Sequence, residues 1–169
     1  FKDFYVKGDT LNPIMDVTFD NTHILNGDIV AAKPIIQIKL TDESKWLRLD
    51  DPSLVKVQVK FPDQQIKDYQ YNSDTLRFTP AASTSGSMNT ASIDFAPHFD
   101  QDGDYELIVS GEDKNFNKAG ELEHRVTFKV INKPMISNML NYPNPFTTST
   151  AFVFTLTGSE VPQNLGIQI

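Results

Sequence analysis

The chain contains no cysteine, and this absence excludes several kinds of site at once. Disulfide bonds, a thiolate nucleophile and cysteine-ligated zinc all require that residue, while the cellular compartment stays open. Long apolar runs are absent too, since no window approaches the roughly 20 apolar residues that a helix needs to cross a bilayer. The start, Phe1 to Phe4, lacks the basic region and long apolar middle of a signal peptide. We therefore expect a piece of a larger protein, without a membrane span.

Basic residues are scarce, with 15 lysines and arginines against 22 acidic residues and a net charge of −7. No strand face clusters the basic residues, so nucleic acid is not an expected partner. Hydrophobic residues make up 39% of the chain and charged residues 22%, which excludes the disordered, collagen-like and coiled-coil classes. A length of 169 residues exceeds one small sandwich and predicts one domain plus a fragment, or two small domains.

Alternation of apolar and polar residues is the dominant pattern that is present. From Val55 to Phe61 every second residue is apolar, which places the apolar side chains on one face of a β-strand. The same alternation recurs in six further runs: Ile36/Ile38/Leu40, Leu76/Phe78, Ala91/Ile93/Phe95, Tyr105/Leu107/Val109, Val126/Phe128/Val130 and Phe152/Phe154/Leu156. Short turn sequences rich in Gly, Asn and Asp separate the runs. This pattern predicts an all-β sandwich whose sheets each have one solvated face.

Prolines and turn residues divide the chain. The one credible helical stretch is a single turn, with Asp51 as its N-cap and Pro52 at its first position. Lys133-Pro134 follows the sixth alternating run, and further prolines follow soon after, so a boundary is predicted near residues 132 to 136. We expect three parts: a linker or edge segment at 1–12, a complete β-sandwich at 13–132, and the beginning of a second, truncated sandwich at 133–169.

An acidic run begins like a calcium-binding loop. Asp100, Asp102 and Asp104 alternate, but Tyr105 stands where such a loop needs glycine and Gly111 where it needs a bidentate glutamate. An acidic turn before a strand is therefore favoured, and no cofactor is expected, although these three aspartates are weak calcium candidates. Tyr105 itself is expected to pack or to form a corner hydrogen bond.

A looser calcium site is an open alternative, because aspartates on different loops can converge on one ion. Its candidate ligands are Asp16, Asp20, Asp28 and Asp113, whose sequence spacing does not establish that they meet. Solvated turn carboxylates are the favoured interpretation.

Enzymatic chemistry has no support in the sequence. His23, His98 and His124 lie on three different segments without the spacing of a zinc site. No Gly-x-Ser-x-Gly elbow and no glycine-rich phosphate loop is present. We therefore predict that the chain has no catalytic residues and is not itself an enzyme.

Exposed aromatic residues could form a ligand platform. Trp46 could stack on a ligand or close one end of the core; the core is favoured, because Leu47 and Leu49 accompany it. Tyr69 and Tyr71 alternate on one strand face and are the next candidates, although cross-strand packing is the favoured role for both.

The segment Tyr142-Pro143-Asn144-Pro145-Phe146, which precedes the run Phe152/Phe154/Leu156, resembles the opening of FlgD-like immunoglobulin modules and of type IX secretion sorting domains. The two prolines fix a kinked, extended entry with few free donors, Asn144 can cap its neighbours, and Tyr142 and Phe146 can anchor the kink in a core. The motif is thus mainly structural.

Upstream segments resemble bacterial immunoglobulin-like domains, in which a DGxY strand precedes a D-x-x-G-N turn. The segments here are Asp16 to Asp20, His23 to Asp28, Asp102 to Leu107 and Asp113 to Asn117. Their order also resembles the region that follows the gingipain-type cysteine peptidase domain in large type IX secreted or sortase-like proteins. The resemblance implies an immunoglobulin-like first sandwich, and a location outside the cell or on the outer surface of a Gram-negative bacterium.

Together these features predict a non-catalytic accessory module that spaces or stabilises a neighbouring, peptidase-type domain and leads into a sorting module. Its expected partners are neighbouring domains of the same parent chain and, through a C-terminal part beyond this fragment, the secretion machinery. An adhesin-type module that binds a glycan or a host protein is the alternative. The incomplete last strands leave a free edge, so we expect the final hairpin to pair with the first domain or with a second copy.

Overall fold

The computed structural model describes residues 10–72, 74–83, 86–145 and 147–158. These residues form eleven β-strands and one 3-10 turn, Pro52–Leu54. The strands are β1 Ile14–Phe19, β2 Asp28–Val30, β3 Ile36–Asp42, β4 Val55–Lys60, β5 Ile66–Tyr69, β6 Leu76–Thr79, β7 Asn89–Phe95, β8 Gly103–Gly111, β9 His124–Val130, β10 Met135–Tyr142 and β11 Ala151–Thr157. The predicted all-β class is confirmed. Among the described helical segments, none is long and apolar enough to cross a membrane.

All seven alternating runs are strands, and the single helical turn is also confirmed. Asp51 accepts a hydrogen bond from the backbone N of Ser53 at 2.8 Å, and Pro52 occupies the first position. Four strands, β1, β2, β5 and β10, have no counterpart among those runs. β2 is only three residues long, and the register of β10 against β11 shifts between Ser137 and Leu140, so neither strand shows a long regular alternation.

Two sheets contain nine of the strands. One has the order β1-β3-β7-β6 and is antiparallel throughout. The other has the order β2-β9-β8-β4-β5, and its β2–β9 pair is parallel. In the strand lettering of immunoglobulin sandwiches, the first order reads A-B-E-D and the second contains G-F-C-C′, with β2 added beside G.

The core lies between these two sheets. Aromatic rings join them: Phe19 of β1 contacts Phe128 of β9 at 5.3 Å between ring centroids, and Tyr69 of β5 contacts Phe95 of β7 at 4.6 Å. Phe128 also stacks on Tyr105 of β8, at 5.6 Å. Buried and more exposed positions alternate along strands of both sheets, as in β3 of the first sheet and β9 of the second. The sandwich is therefore held by a continuous apolar interior.

The turn before β8 has the tyrosine geometry expected from the sequence. Tyr105 is buried, and its hydroxyl donates a hydrogen bond to the backbone carbonyl of Gln101 at 2.9 Å. Gly103 has a φ of +143°, and an added Cβ there would lie 2.8 Å from the ring of Pro62. A glycine is thus required where this turn passes the β4–β5 loop.

The last two strands form a separate two-stranded antiparallel sheet, called here the ribbon (β10 and β11). The expectation that the final hairpin pairs with a sheet of the first domain is wrong for the described residues, because the hydrogen bonds of the two strands join them to each other. Pairing with a second copy stays a prediction, as does the domain boundary at residues 132 to 136.

Hydrogen bonds hold the segment between the sandwich and the ribbon at both ends. Asp102, beside the start of β8, accepts from the backbone N of Asn132 at 2.7 Å and from its side-chain amide at 3.0 Å. Thr157 of β11 donates to the carbonyl of Lys133 at 2.7 Å. The backbone N of Gly158 donates to the carbonyl of Ile131 at 3.1 Å. We call residues 131–134, fixed in this way, the tied linker.

Candidate functional site

Trp46 lies on the surface and not in the core. Its side chain is 91% exposed, so the prediction that it closes one end of the core is wrong. Leu49, three residues later, is fully buried and takes the core position, while Leu47 is 38% exposed. The pattern of apolar residues in this loop misled the prediction, because one buried leucine is enough to anchor the segment.

A buried asparagine holds the loop that carries Trp46. Asn89, at the start of β7, accepts a hydrogen bond from the backbone N of Leu49 at 2.9 Å. Its amide nitrogen donates to the carbonyls of Ser44 at 2.9 Å and Leu47 at 3.0 Å, and to a carboxylate oxygen of Asp42 at 3.3 Å. The side chain is 4% exposed. One residue therefore fixes the backbone on both sides of Trp46, which no sequence motif indicated.

A shallow hollow of about 300 Å³ lies between this loop and the β6–β7 connection. Lys45 and Arg48, on either side of Trp46 in the chain, line it together with Glu43 and Asn89. Arg48 reaches across and donates to the carbonyl of Ser87 at 3.3 Å. Met88 also lines the hollow, whereas Trp46 belongs to the same loop but is not among the lining residues.

Tyr69 and Tyr71 pack against the core, but their ring contacts reach strands of the opposite sheet, and not a neighbouring strand as the sequence had favoured. Tyr69 contacts Phe95, and Tyr71 contacts Phe78 with ring centroids 5.9 Å apart. The hydroxyl of Tyr71 donates to the carbonyl of Val55 at 2.7 Å, and burial raises the pKa of Tyr71 far above its ordinary value. Neither ring forms an open platform for a ligand.

The three weak calcium candidates have other partners or lie in solvent. Asp100 pairs with His98 at 3.2 Å, and Asp102 accepts from Asn132. Asp104 is an exposed residue of β8. Across the described residues, no three histidine or acidic side chains come together in a way that could hold a metal ion.

The four candidate ligands of the looser calcium site each have a different partner. Asp20 accepts from the backbone N of Ile35 and Asp28 from that of Leu25, while Asp113 is buried and accepts from the backbone N of Asn115 and Asn117. Asp16 and His23 are 2.6 Å apart. The four carboxylates thus organise separate turns and pairs.

His124 is the most enclosed of the three histidines. Burial lowers the pKa of His124, and the nearby negative charge of Asp16 opposes this shift in part. Asp16 also pairs with His23, so His23 and His124 both lie near this carboxylate, whereas His98 pairs with Asp100.

The β8–β9 connection carries an exposed aromatic residue in an unusual backbone conformation. Phe116 has a φ of +66° and is 76% exposed. It stands where the D-x-x-G-N turn of the resembling domains has glycine. Lys114 of the same connection pairs with Asp50 at 2.5 Å and so joins it to the β3–β4 connection. This loop departs from the turn pattern at the one position where glycine suits the backbone best.

A larger open groove of about 800 Å³ lies beside the β8–β9 connection. Lys56, Lys118 and Arg125 line it with three glutamates, Glu112, Glu121 and Glu123. Arg125 pairs with Glu106 at 3.1 Å and with Glu123 at 2.9 Å. The positive and negative side chains of the groove are equal in number, so the groove has no net charge that would favour an anionic or a cationic ligand.

The proline motif forms the connection between β10 and β11. Tyr142 ends β10 and is 75% exposed, so the expectation that it anchors the kink in a core is wrong here; Phe146 lies outside the described residues. Pro143, Asn144 and Pro145 are exposed, and Thr150 donates to the carbonyl of Pro143 at 3.1 Å. The motif is a surface turn between two strands.

No protein-family model matches the chain, and no curated protein matches it. Among solved structures, the chain is similar to the crystal structure of dimeric latent PorU from Porphyromonas gingivalis, with 17% sequence identity and a TM-score of 0.49. The alignment covers 88% of this chain and 13% of PorU. The chain thus spans a small part of the length of that protein.

Proposed function

We propose that this chain is a non-catalytic accessory module of a large secreted or cell-surface protein. Its sandwich spaces or stabilises a neighbouring, peptidase-type domain, and its ribbon leads into a C-terminal sorting module of the type IX kind. The location that follows is the outside or outer surface of a Gram-negative bacterium. The basis for the sorting module is the sequence resemblance of the Tyr142 to Phe146 segment.

The tied linker is the observation that carries the spacing role. A spacer has to transmit a fixed geometry, and free linkers between domains do not. Asp102 holds Asn132 from the sandwich side, and Thr157 holds Lys133 from the ribbon side. Each bond to a backbone group removes freedom from the segment that would otherwise act as a hinge.

The strand order supports an immunoglobulin-like module. The A-B-E-D order of the first sheet and the G-F-C-C′ order within the second agree with that architecture, and the Tyr105 bond to Gln101 has the form of a tyrosine corner. In this architecture packed side chains fill the interior, so residues that bind a ligand or catalyse a reaction would lie on the loops. The aspartates of the loops here organise turns, which agrees with a structural role.

The test is made in the parent protein. Residues 14–130 are replaced by a flexible Gly/Ser segment of equal length, and the neighbouring domain is measured for thermal stability and activity. We expect both to fall, because the segment no longer holds a fixed geometry. The control is the parent protein with the single substitution Phe116→Ala, which alters only an exposed side chain and is produced and measured in the same way. Unchanged stability and activity in the replaced parent would refute the accessory role.

A further inference from the structure

We infer that one end of the sandwich docks the domain that precedes it in the parent chain, through an apolar patch on that domain. The inference rests on the proposed accessory role and names the surface that serves it. This surface comprises Ile14, Trp46 and Met88, at the end where the chain enters the sandwich. We call these three residues the entry face.

The three residues lie at one edge of the first sheet. Ile14 begins β1, and Met88 directly precedes Asn89, which begins β7. Both strands pair with the last residues of β3, which lies between them and continues into the connection that carries Trp46. Because neighbouring strands lie about 4.8 Å apart, about 10 Å separates the start of β1 from the start of β7. The entry face is thus confined to a small area at this end.

Solvent covers most of each side chain of the entry face. Trp46 is 91% exposed, Met88 75% and Ile14 72%. A single exposed apolar residue is ordinary, but several together mark an interaction surface. Aromatic residues and methionine are enriched in the buried centres of protein interfaces, and tryptophan is prominent among the residues that dominate their binding energy. The composition of the entry face is therefore that of an interface centre.

Hydrogen bonds hold Trp46 and Met88 in fixed relative positions. Asn89 bonds to the backbone of the β3–β4 connection on both sides of Trp46. Arg48 donates to the carbonyl of Ser87 and so joins this connection to the residue before Met88. A surface that is already ordered loses little conformational entropy when a partner docks on it.

The chain enters and leaves the sandwich at opposite ends. At the entry end, Met15 of β1 lies against Gly111, the last residue of β8, since a Cβ added to Gly111 would lie 2.6 Å from the Cε of Met15. β9 runs antiparallel to β8 and ends with Val130, which pairs with Gly103, the first residue of β8. The tied linker and the ribbon therefore follow at the other end.

The anchoring of the chain at the entry end identifies the occupant. Pro13, directly before β1, is buried and fixes the chain beside the entry face. The preceding domain of the parent is therefore tethered at this surface, whereas the following domain is tethered at the opposite end. A short tether gives an effective concentration in the millimolar range, an advantage that a freely diffusing partner lacks.

The ionisable side chains around the entry face are balanced. Two acidic residues, Asp42 and Glu43, and two basic residues, Lys45 and Arg48, line the hollow beside Met88. Complementary charge therefore contributes little to the choice of partner. We expect the docked surface to be apolar and the contact to persist in salt.

Hydroxyl-radical footprinting measures the exposure of these residues in the isolated chain and in the intact parent protein. Tryptophan and methionine react readily with the radical, so Trp46 and Met88 report directly. We expect the oxidation of both to fall about fivefold or more in the parent, because an interface centre excludes water. Ile66, 56% exposed at the start of β5, is the control and should react equally in both proteins. Loss of the protection at about 0.5 M salt would contradict an apolar partner surface.

Lysine-reactive cross-linking identifies the domain that covers Trp46. Lys45 is exposed and directly precedes Trp46 in the chain. In the parent protein we expect cross-links from Lys45 to the preceding domain. Cross-links from Lys45 to a following domain alone would overturn the inference.

Substitutions test whether the entry face itself makes the contact. Trp46→Glu places a charge where water is excluded, so Met88 should regain most of its reactivity in the parent. In the isolated chain the same substitution should leave the thermal midpoint unchanged, because the side chain it replaces faces solvent. Ile66→Glu is the matched control and should leave Met88 protected. A Trp46→Glu parent in which Met88 stays protected would refute the role of the indole.

The outcomes also separate this inference from the accessory role. Equal oxidation of Trp46 and Met88 in the parent and in the isolated chain would refute the entry face. If the Gly/Ser replacement still lowers the stability of the neighbouring domain, the accessory role stands and this inference alone fails; if the replacement has no effect, both fail. Protection of Trp46 in the isolated chain that grows with protein concentration would identify a second copy as the occupant and would overturn the inference.

Discussion

The hydroxyl of Tyr105 donates a hydrogen bond to the carbonyl of Gln101, 2.9 Å away, while the ring packs against Phe128 in the centre of the sandwich. One residue therefore joins the turn before β8 to the core between the sheets. The Tyr105→Phe variant keeps the ring and removes the bond, so we expect a loss of about 1–2 kcal/mol in the free energy of unfolding. Urea denaturation measures the loss. Tyr142→Phe, at a tyrosine that is 75% exposed, is the control and should change nothing; equal effects in both would contradict the corner bond.

Phe128 and Phe154 should respond differently to truncation. Phe128 is 1% exposed, so Phe128→Ala should cost about 3–5 kcal/mol of unfolding free energy through lost burial and a cavity. Phe154, on the ribbon, is only half-buried, and Phe154→Ala should cost clearly less. Urea denaturation of the two variants under the same conditions gives the comparison. Equal losses of stability in the two variants would contradict the difference in burial between Phe128 and Phe154.

The backbone at Phe116 predicts that glycine is preferred there to alanine. A φ of +66° brings any Cβ close to the following carbonyl, at a cost of about 1 kcal/mol that only glycine avoids. Since Phe116 is 76% exposed, little burial is lost in either variant. We expect Phe116→Gly to be about 1 kcal/mol more stable than Phe116→Ala in thermal unfolding. The reverse order would contradict the left-handed conformation.

Loss of Asn89 should destabilise the protein and loosen the Trp46 loop together. Asn89→Ala leaves the carbonyls of Ser44 and Leu47 and the backbone N of Leu49 without this partner, which we expect to cost about 2–3 kcal/mol. The fluorescence anisotropy of Trp46 should also fall, because the ring gains local motion. Asn144→Ala, in the exposed ribbon turn, is the matched control. A destabilised variant with unchanged anisotropy would contradict the role of Asn89 in holding the loop.

The burial of His124 predicts that the protein loses stability in mild acid. Burial lowers the pKa of His124 in the folded state, so the unfolded chain binds the proton more readily. Stability from this residue is complete above the unfolded pKa of about 6.5 and declines as the pH falls through that value towards the lowered one. The urea midpoint should therefore decrease less between about pH 7.5 and 5.5 in His124→Gln than in the unmodified chain. The exposed His98→Gln is the control, and identical pH profiles for His124→Gln and the unmodified chain would refute the account.

Local alternation was enough to predict six of the nine sandwich strands from the sequence, because one buried face imposes a period of two. It was not enough for β1, β2, β5 and β10. β2 has three residues and depends on its parallel pairing with β9, and β10 contains a register shift. Both features are set by partners distant in the sequence, which a local pattern does not contain.

The candidate site was harder to predict than the fold. Trp46, Leu47 and Leu49 are similar as apolar residues, and only the three-dimensional path of the loop determines that Leu49 enters the core while Trp46 does not. That path depends on Asn89, forty residues later than Leu49, through a hydrogen bond that no spacing rule indicates. The hydrogen bond of Tyr105 was predictable, because Tyr105 and its partner Gln101 are only four residues apart in the sequence.

The central claim is that the sandwich and the ribbon are held at a fixed spacing by the tied linker. The chain has no cysteine, so the variants Lys39→Cys in β3 and Ala151→Cys in β11 provide two unique positions for spin labels. Double electron–electron resonance then measures the distribution of distances between them. We predict a narrow distribution that becomes broad when Asp102→Ala removes the bonds to Asn132. A distribution that is already broad with Asp102 in place would contradict the claim.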